Sequence, residues 1–233
     1  MLVLSGIAGL DGFDLQCGFG NIIWKYMTGL GCSASNVNIV SRNQSIVTSV
    51  NGQNLNSFSG SNYLMIAIYS PTAHFVPQNL GNFFPAITGL AILNSKLKDV
   101  QKKDISQLPK LKQLYLYGND LQSLPADLFE ANLDLEIISF ERNKLLHVGQ
   151  GILTPLKKLQ WASFNPNPCI NVSGWSESQM LSVVEAFNAG CRNDTIDQMH
   201  KNKICVNCGE QKGKDNPKTK MEEKLRQQDA SML

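Results

Sequence analysis

Residues 111–129 read L-K-Q-L-Y-L-Y-G-N-D-L-Q-S-L-P-A-D-L-F. Apolar groups stand at Leu111, Leu114, Leu116, Leu121 and Leu124, an amide at Asn119, and the pair Leu128-Phe129 follows Pro125. The pattern starts again at Leu135 and continues as Ile138, Phe140, Asn143, Leu145 and Val148, followed by Ile152-Leu153. The same step taken backwards from Leu111 gives Ile87, Leu90, Ile92, Ser95, Leu97 and Val100, and once more Tyr63, Ile66, Ile68, Pro71, Ala73 and Val76. Such self-similarity at a constant step marks a stack of repeats, each too small to bury its own apolar face.

Each position has a physical reason. The L-x-L pair alternates with period two, so Leu114 and Leu116 point inward from a short strand while Tyr115 points out. Strands of successive repeats then lie parallel, each repeat contacting its neighbours. Asn119 and Asn143 fall where the chain turns away from the strand, and a buried amide there satisfies backbone groups of adjacent turns. An array of amphipathic helices would need apolar positions at helical spacing, which L-x-L followed by Tyr117-Gly118-Asn119-Asp120 breaks.

From about Tyr63 to Asn165 the chain resembles extracellular leucine-rich-repeat proteins. The resemblance implies an α/β fold: a leucine-rich-repeat solenoid, a short horseshoe with a parallel concave sheet and disulfide-bearing N- and C-terminal caps. In a fifth unit Leu156, Leu159 and Trp161 are expected at the inward strand positions, with Asn165 one place late. Asn167, Pro168 and Cys169, then the stretch Ser176 to Gly190 and Cys191, resemble the C-terminal cap of such proteins. Ser176 and Gln179 suggest a capping box, Leu181, Val184 and Phe187 the apolar stripe, and Gly190 the stop of that helix. Cys17 and Cys32 enclose a loop like that of an N-terminal cap, followed by two irregular strands around Arg42 to Gln44. This pattern resembles the caps of secreted insect leucine-rich-repeat proteins and, more loosely, the mosquito leucine-rich immune family. The implied division is an apolar leader over 1–12, an N-terminal cap over 13–62, repeats over 63–165, a C-terminal cap over 166–192 and a polar tail over 193–233. The implied disulfides are Cys17 with Cys32 and Cys169 with Cys191.

Composition narrows the function. A chain of 233 residues with 42% hydrophobic residues can bury a sizeable core, and a net charge of +2 argues against a nucleic-acid or anionic-membrane partner. No apolar stretch approaches the roughly 20 residues of a membrane span. Leu2-Val3-Leu4 and Ile7 to Leu10 read as the end of a secretory apolar region, although the first lysine is Lys25, so a positive leader segment is missing. The six cysteines fit an oxidising compartment. Cys205 and Cys208, in C-V-N-C, read as a local disulfide or as a tether to a partner chain, which makes a disulfide-linked scaffold subunit the alternative function. A zinc site from Cys191, His200, Cys205 and Cys208 has suitable ligand types but would strand Cys169, so no metal and no cofactor is expected. His74, His147 and His200 are scattered, with no nucleophile motif or phosphate-binding glycine loop beside them, so the chain reads as no enzyme. His74 and His147 are expected at solvated outward positions.

Function is therefore expected on the concave sheet face, as binding of an extracellular protein by a secreted module, in innate immunity or other extracellular recognition. Outward positions line up across the repeats as Tyr69, Leu93, Tyr117 and Glu141, as Ala67, Ala91, Tyr115 and Ser139, and as Met65, Gly89, Gln113 and Ile137. The residues expected to contact the partner are Tyr69, Leu93, Gln113, Tyr115, Tyr117, Ile137, Glu141 and Arg142, because tyrosines offer large contact area with a polar end and Glu141-Arg142 adds charge selectivity. The bland reading is that the tyrosines pack against one another. Asn43, Asn171 and Asn193 open glycosylation sequons, a number that chance supplies in so asparagine-rich a chain. Their placement is more telling, since none interrupts a repeat strand.

Overall fold

The computed structural model describes residues 12–25, 27–53, 64–175 and 177–190. The apolar leader, Tyr63, Ser176, Cys191, Asn193, His200, Cys205 and Cys208 fall outside them, as do the side chains of Leu181 and Phe187. Strands β1 (Phe13–Trp24) and β2 (Met27–Ala34) form an antiparallel hairpin, and β3 (Val47–Gln53) runs parallel beside β1. From β2 the sheet continues in parallel through β4 (Met65–Ile68), β5 (Gly89–Ile92), β6 (Gln113–Tyr115), β8 (Ile137–Ser139) and β10 (Trp161–Ser163). The antiparallel β11 (Ser173–Gly174) completes nine strands. On the return side β7 (Ser123–Leu124) pairs with β9 (His147–Val148), and the short helices α1 (Leu80–Phe83) and α2 (Lys102–Ser106) fill the turns. Helix α3 (Glu177–Gly190) follows β11, and the residues beyond Gly190, the expected stop, lie outside the described residues.

Cα pairing puts Leu90 beside Leu114, Leu114 beside Ile138 and Ile138 beside Ala162, so the repeat step read from the sequence is the register of the sheet itself. The fifth unit keeps that step without a slip. Its inward residues are Ala162 and Phe164, which join the interior core, whereas Trp161 lies on the opposite face. The expectation of Leu156, Leu159 and Trp161 as the inward set is corrected: a tryptophan at the strand's first position points out by the alternation that governs Gln113 and Ile137.

The turn amide of that unit is Asn167, not Asn165. Asn167 Oδ1 accepts from Leu145 N at 3.1 Å, and its Nδ2 donates to Phe140 O at 2.9 Å. Asn143 does the same one unit earlier, accepting from Leu121 N and donating to Leu116 O at 2.7 Å. Asn119 accepts from Ser95 N and Leu97 N and donates to Ile92 O. At the next step Ser95 takes over, its Oγ accepting from Ser70 N. Each side chain thus holds backbone groups of the preceding turn that would otherwise be buried without partners.

The N-terminal cap carries the Cys17–Cys32 disulfide. Arg42–Gln44 form a single 3-10 turn there, and among the described residues of the cap β3 is the one strand that follows it, in place of two irregular strands around that turn. The turn presents Arg42 to the repeats: its Nη1 donates to Asp104 Oδ1 at 2.9 Å, its Nε and Nη2 donate to Asp99, and its guanidinium lies over the Phe75 ring. Burial works against the Arg42 charge, but the hydrogen bonds to Asp104 and Asp99 outweigh it and hold the pKa above the usual arginine value. Asp104, fully buried, also accepts from Gln78 Nε2 and from the Gln101 amide. A charge so enclosed is tolerable only with this many partners.

In the C-terminal cap Cys169 is disulfide-bonded. Gln179 Oε1 accepts from the Trp175 amide, so it caps the segment entering α3. The buried valine of that helix is Val183, while Val184, assigned to the apolar stripe by its spacing, is exposed. His74 and His147 are half-buried rather than solvated.

Candidate binding face

The outward side chains of the repeat strands change size along the sheet. Ala67, Gly89 and Ala91 are small, and then come Gln113, Tyr115, Tyr117, Ile137 and Trp161. The small residues leave a trough, which the end of the β1–β2 hairpin fills. A Cβ on Gly89 would stand 2.3 Å from Met65 Sδ and 3.2 Å from Met27 Sδ, so the close approach of both methionines requires glycine there. Ile22, Met27, Met65, Ala67, Ala91, Leu93, Tyr115, Ile137 and Trp161 form one buried apolar cluster, separate from the interior core on the other side of the strands.

The cluster is aromatic along its length. Trp24 meets Tyr115 edge-on with ring centroids 4.9 Å apart and Tyr117 at 6.0 Å. Tyr115 is followed by Trp161 at 6.4 Å, and Trp161 by Trp175 of the C-terminal cap at 5.0 Å. Such edge-on and tilted contacts suit the ring quadrupoles. All three tryptophans of the chain therefore lie along one face.

Around the cluster runs a charged rim. Lys25 Nζ stands 2.7 Å from Glu141 Oε2 and 4.7 Å from the centroid of Tyr117. The Arg142 guanidinium lies 5.6 Å from the centroid of the same tyrosine, so Tyr117 is flanked by two cations. Arg142 and Lys25 both have positive φ, 53° and 47°, which turns each away from the regular strand at the edge of the face.

These contacts sort the residues expected to meet a partner. Leu93, Tyr115 and Ile137, expected to face solvent, are buried, Tyr115 to 0% exposure. Tyr115 is covered by Trp24 of the hairpin end, contributed by residues more than a hundred positions away from Glu141, which no periodic pattern announces, and Ile137 stands beside Trp161 on the next strand. Gln113, Tyr117 and Glu141 are half-buried, Arg142 is exposed, and Tyr69 is 38% exposed, with burial raising its hydroxyl pKa. The residues that sequence reasoning passed over are Trp24, Lys25 and Met27. Their one visible signal is the apolar-aromatic run I-I-W-K-Y-M between the cap cysteines.

Among the described residues no helix is long and apolar enough to cross a membrane, and no group of three or more His, Cys, Asp or Glu is placed to hold a metal ion. Asn43 and Asn171 are both exposed.

No protein-family model matches the chain, and no curated protein sequence matches it. Solved structures are similar to it. The crystal structure of the APL1 leucine-rich repeat domain aligns with 17% identity and a TM-score of 0.50, over 66% of this chain and 36% of that one. The Drosophila Toll–Spatzle complex aligns with 16% identity and a TM-score of 0.41, over 56% of this chain and 18% of the other. The TLR13–ssRNA13 complex aligns with 15% identity and a TM-score of 0.39, over 58% and 25%. The chain spans little more than a third of the APL1 structure's length. At such identity the likeness to APL1 speaks for the fold, and it agrees with the constant register of the parallel strands and with the asparagine ladder: the chain folds as a leucine-rich-repeat solenoid.

Proposed function

We propose that the chain is a secreted leucine-rich-repeat module that binds another protein at the concave face and its rim. The observation that carries this reading is the rim itself: Tyr69 exposed at one end, and Tyr117 held between Lys25 and Arg142 beside Glu141 at the other. Tyrosine and arginine around a desolvated aromatic patch are the groups that dominate binding energy at protein interfaces. The solenoid supplies the stiffness, since strands hydrogen-bonded across the sheet hold these groups in fixed spacing. Cys17–Cys32 and the bonded Cys169 support an oxidising compartment, and the exposed Asn43 and Asn171 would carry glycans outside the repeat strands. Recognition of an extracellular protein, innate immunity included, is the corresponding role.

Photo-cross-linking tests the reading. A benzophenone side chain at Tyr69, in the full chain exposed to extracellular fluid, is expected to capture a protein that Arg142→Ala releases. The same probe at Leu133, exposed on another part of the repeats, is the control. Capture of the same proteins from both positions, or capture indifferent to Arg142, sinks the assignment to the rim.

A further inference from the structure

The end of the β1–β2 hairpin occupies the place where a ligand of the concave face would sit, and its attachment there is of an unusual kind. β2 pairs with β4 only over Gly31–Ala34, opposite Met65–Ile68. Beyond that point the hairpin is held by its own rungs, Ile22 with Gly29, Ile23 with Thr28 and Trp24 with Met27. Among the described residues the only backbone hydrogen bond joining this part to the repeats is Leu64 N to Leu30 O, at its base. Everything nearer the tip rests on side chains: Trp24 on Tyr115 and Tyr117, Met27 over Gly89, Lys25 on Glu141. Gly20 faces Gly31 where the hairpin leaves the sheet, the Ile22 side chain fills the space beside Gly31 that a Cβ there would need, and Cys17–Cys32 fixes the stem below it.

The face underneath is shaped as a receptor. Tyr115 and Tyr117 receive an aromatic ring, and Glu141 receives the cation next to it in sequence. Two polar atoms of the same face, Gln113 Oε1 and Ser139 Oγ, are buried without a hydrogen-bond partner among the described residues. Buried polar groups are normally satisfied, so a covering that leaves two unmet is a poorer fit than one that supplies polar groups of its own. The outer side of the tip, by contrast, leaves Ile23 at 69% exposure, so no described part of the chain locks the hairpin down from above.

We propose that this hairpin end is a displaceable occupant of the concave site, and that a protein partner enters by putting in its place an aromatic side chain adjacent to a lysine or arginine. The inference rests on the concave face being the binding surface and specifies what that surface accepts. The tethered tip competes with every ligand, so apparent affinity is reduced by the fraction of molecules in which the site is open. Specificity follows from the same contacts. A partner segment with an aromatic residue but no cation leaves Glu141 unpaired, and one with an acid beside the ring is repelled.

The probe is the capped tetrapeptide Ile-Ile-Trp-Lys, the sequence of residues 22–25, titrated calorimetrically into the full chain. The Trp24→Ala chain, its site vacated, is expected to bind the peptide roughly tenfold more tightly than wild type. Adding Glu141→Lys to that chain should abolish binding, and the peptide Ile-Ile-Trp-Glu should then bind in its stead. Lys25→Ala, which leaves the tryptophan in place, should give a smaller gain in the same direction and serves should Trp24→Ala misfold. Equal affinity for wild type and both opened variants, no binding to either opened variant, or binding indifferent to the charge at position 141 overturns the proposal. A partner cross-linked through Tyr69 in spite of that result would leave protein binding standing and remove only the displaceable tip.

Discussion

The strands of the repeats carry apolar side chains on both faces, and the two faces are built differently. Inside, Leu114, Leu116, Ile138, Phe140 and Phe164 pack in a lattice whose contacts recur from one unit to the next, with Asn119, Asn143 and Asn167 closing the backbone groups between turns. Outside, the concave cluster is made by parts of the chain that share no period: the hairpin end, the middle of the sheet, and Trp175 from the C-terminal cap. The inner face belongs to the stack, where each unit stabilises its neighbours. The outer face is covered from its two ends, by Trp24 on Tyr115 and by Trp175 on Trp161. A stack can lose its covering and keep its core; it cannot lose its core and keep the covering.

Mutations that separate the two faces should follow that asymmetry. Phe140 is fully buried and stacks on Phe164 with centroids 5.4 Å apart. Phe140→Ala should therefore cost roughly 3–5 kcal/mol in urea unfolding and abolish near-ultraviolet signals from both faces together. A selective loss of the concave signals alone would contradict the dependence drawn above. Asn143→Ala leaves Leu121 N and Leu116 O unmet inside the stack and should cost roughly 2–3 kcal/mol. Its effect on hydrogen exchange should be largest in β6 and β8, the strands whose turns it joins.

On the concave face, Trp24→Ala removes a half-buried ring and its contacts with Tyr115 and Tyr117, and should cost only about 1 kcal/mol. Its clearer mark should be in the fluorescence of the two remaining tryptophans, Trp161 and Trp175, as water reaches the face. An unchanged spectrum would mean that Trp24 does not cover them. Smallest of all should be the effect of Lys158→Ala on the outer surface, where Lys158 Nζ meets Asp134 Oδ1. Its hydrogen bond and charge lower the Asp134 pKa. With the folded value below the unfolded one, the pair contributes above the unfolded aspartate pKa, and the contribution fades as pH falls through the folded value. Because the pair is fully exposed, unfolding midpoints of wild type and variant should coincide within error at neutral pH and in acid alike. A resolved difference near neutrality would show a stronger pair than its exposure allows.

Much of the fold can be read from residue order because a repeat writes its contacts at a fixed interval. Leu114 implies Leu90 and Ile138, and Asn119 implies Asn143. The fifth unit shows how a reading of this kind can miss. Leu159, Ala162, Phe164 and Asn167 stand two repeat steps beyond Leu111, Leu114, Leu116 and Asn119, yet Trp161 looks more like a core residue than Ala162 does, and the register slips if bulk is allowed to overrule spacing. Helix α3 shows the same weakness on a smaller scale: Val183 and Val184 are chemically alike, and only packing against the cap distinguishes them.

The candidate site was less accessible to such reasoning. Tyr69, Tyr117 and Glu141 could be placed on one face from strand alternation and the repeat length, since both are local rules of backbone geometry, and Arg142 at its rim as the neighbour of Glu141. That Tyr115 lies under Trp24, and that Glu141 is matched by Lys25, depends on how far a hairpin closed by Cys17–Cys32 bends over the sheet. Nothing periodic encodes that bend, because it is set by side chains meeting across 116 positions of sequence, in a trough that exists only once Ala67, Gly89 and Ala91 are stacked side by side.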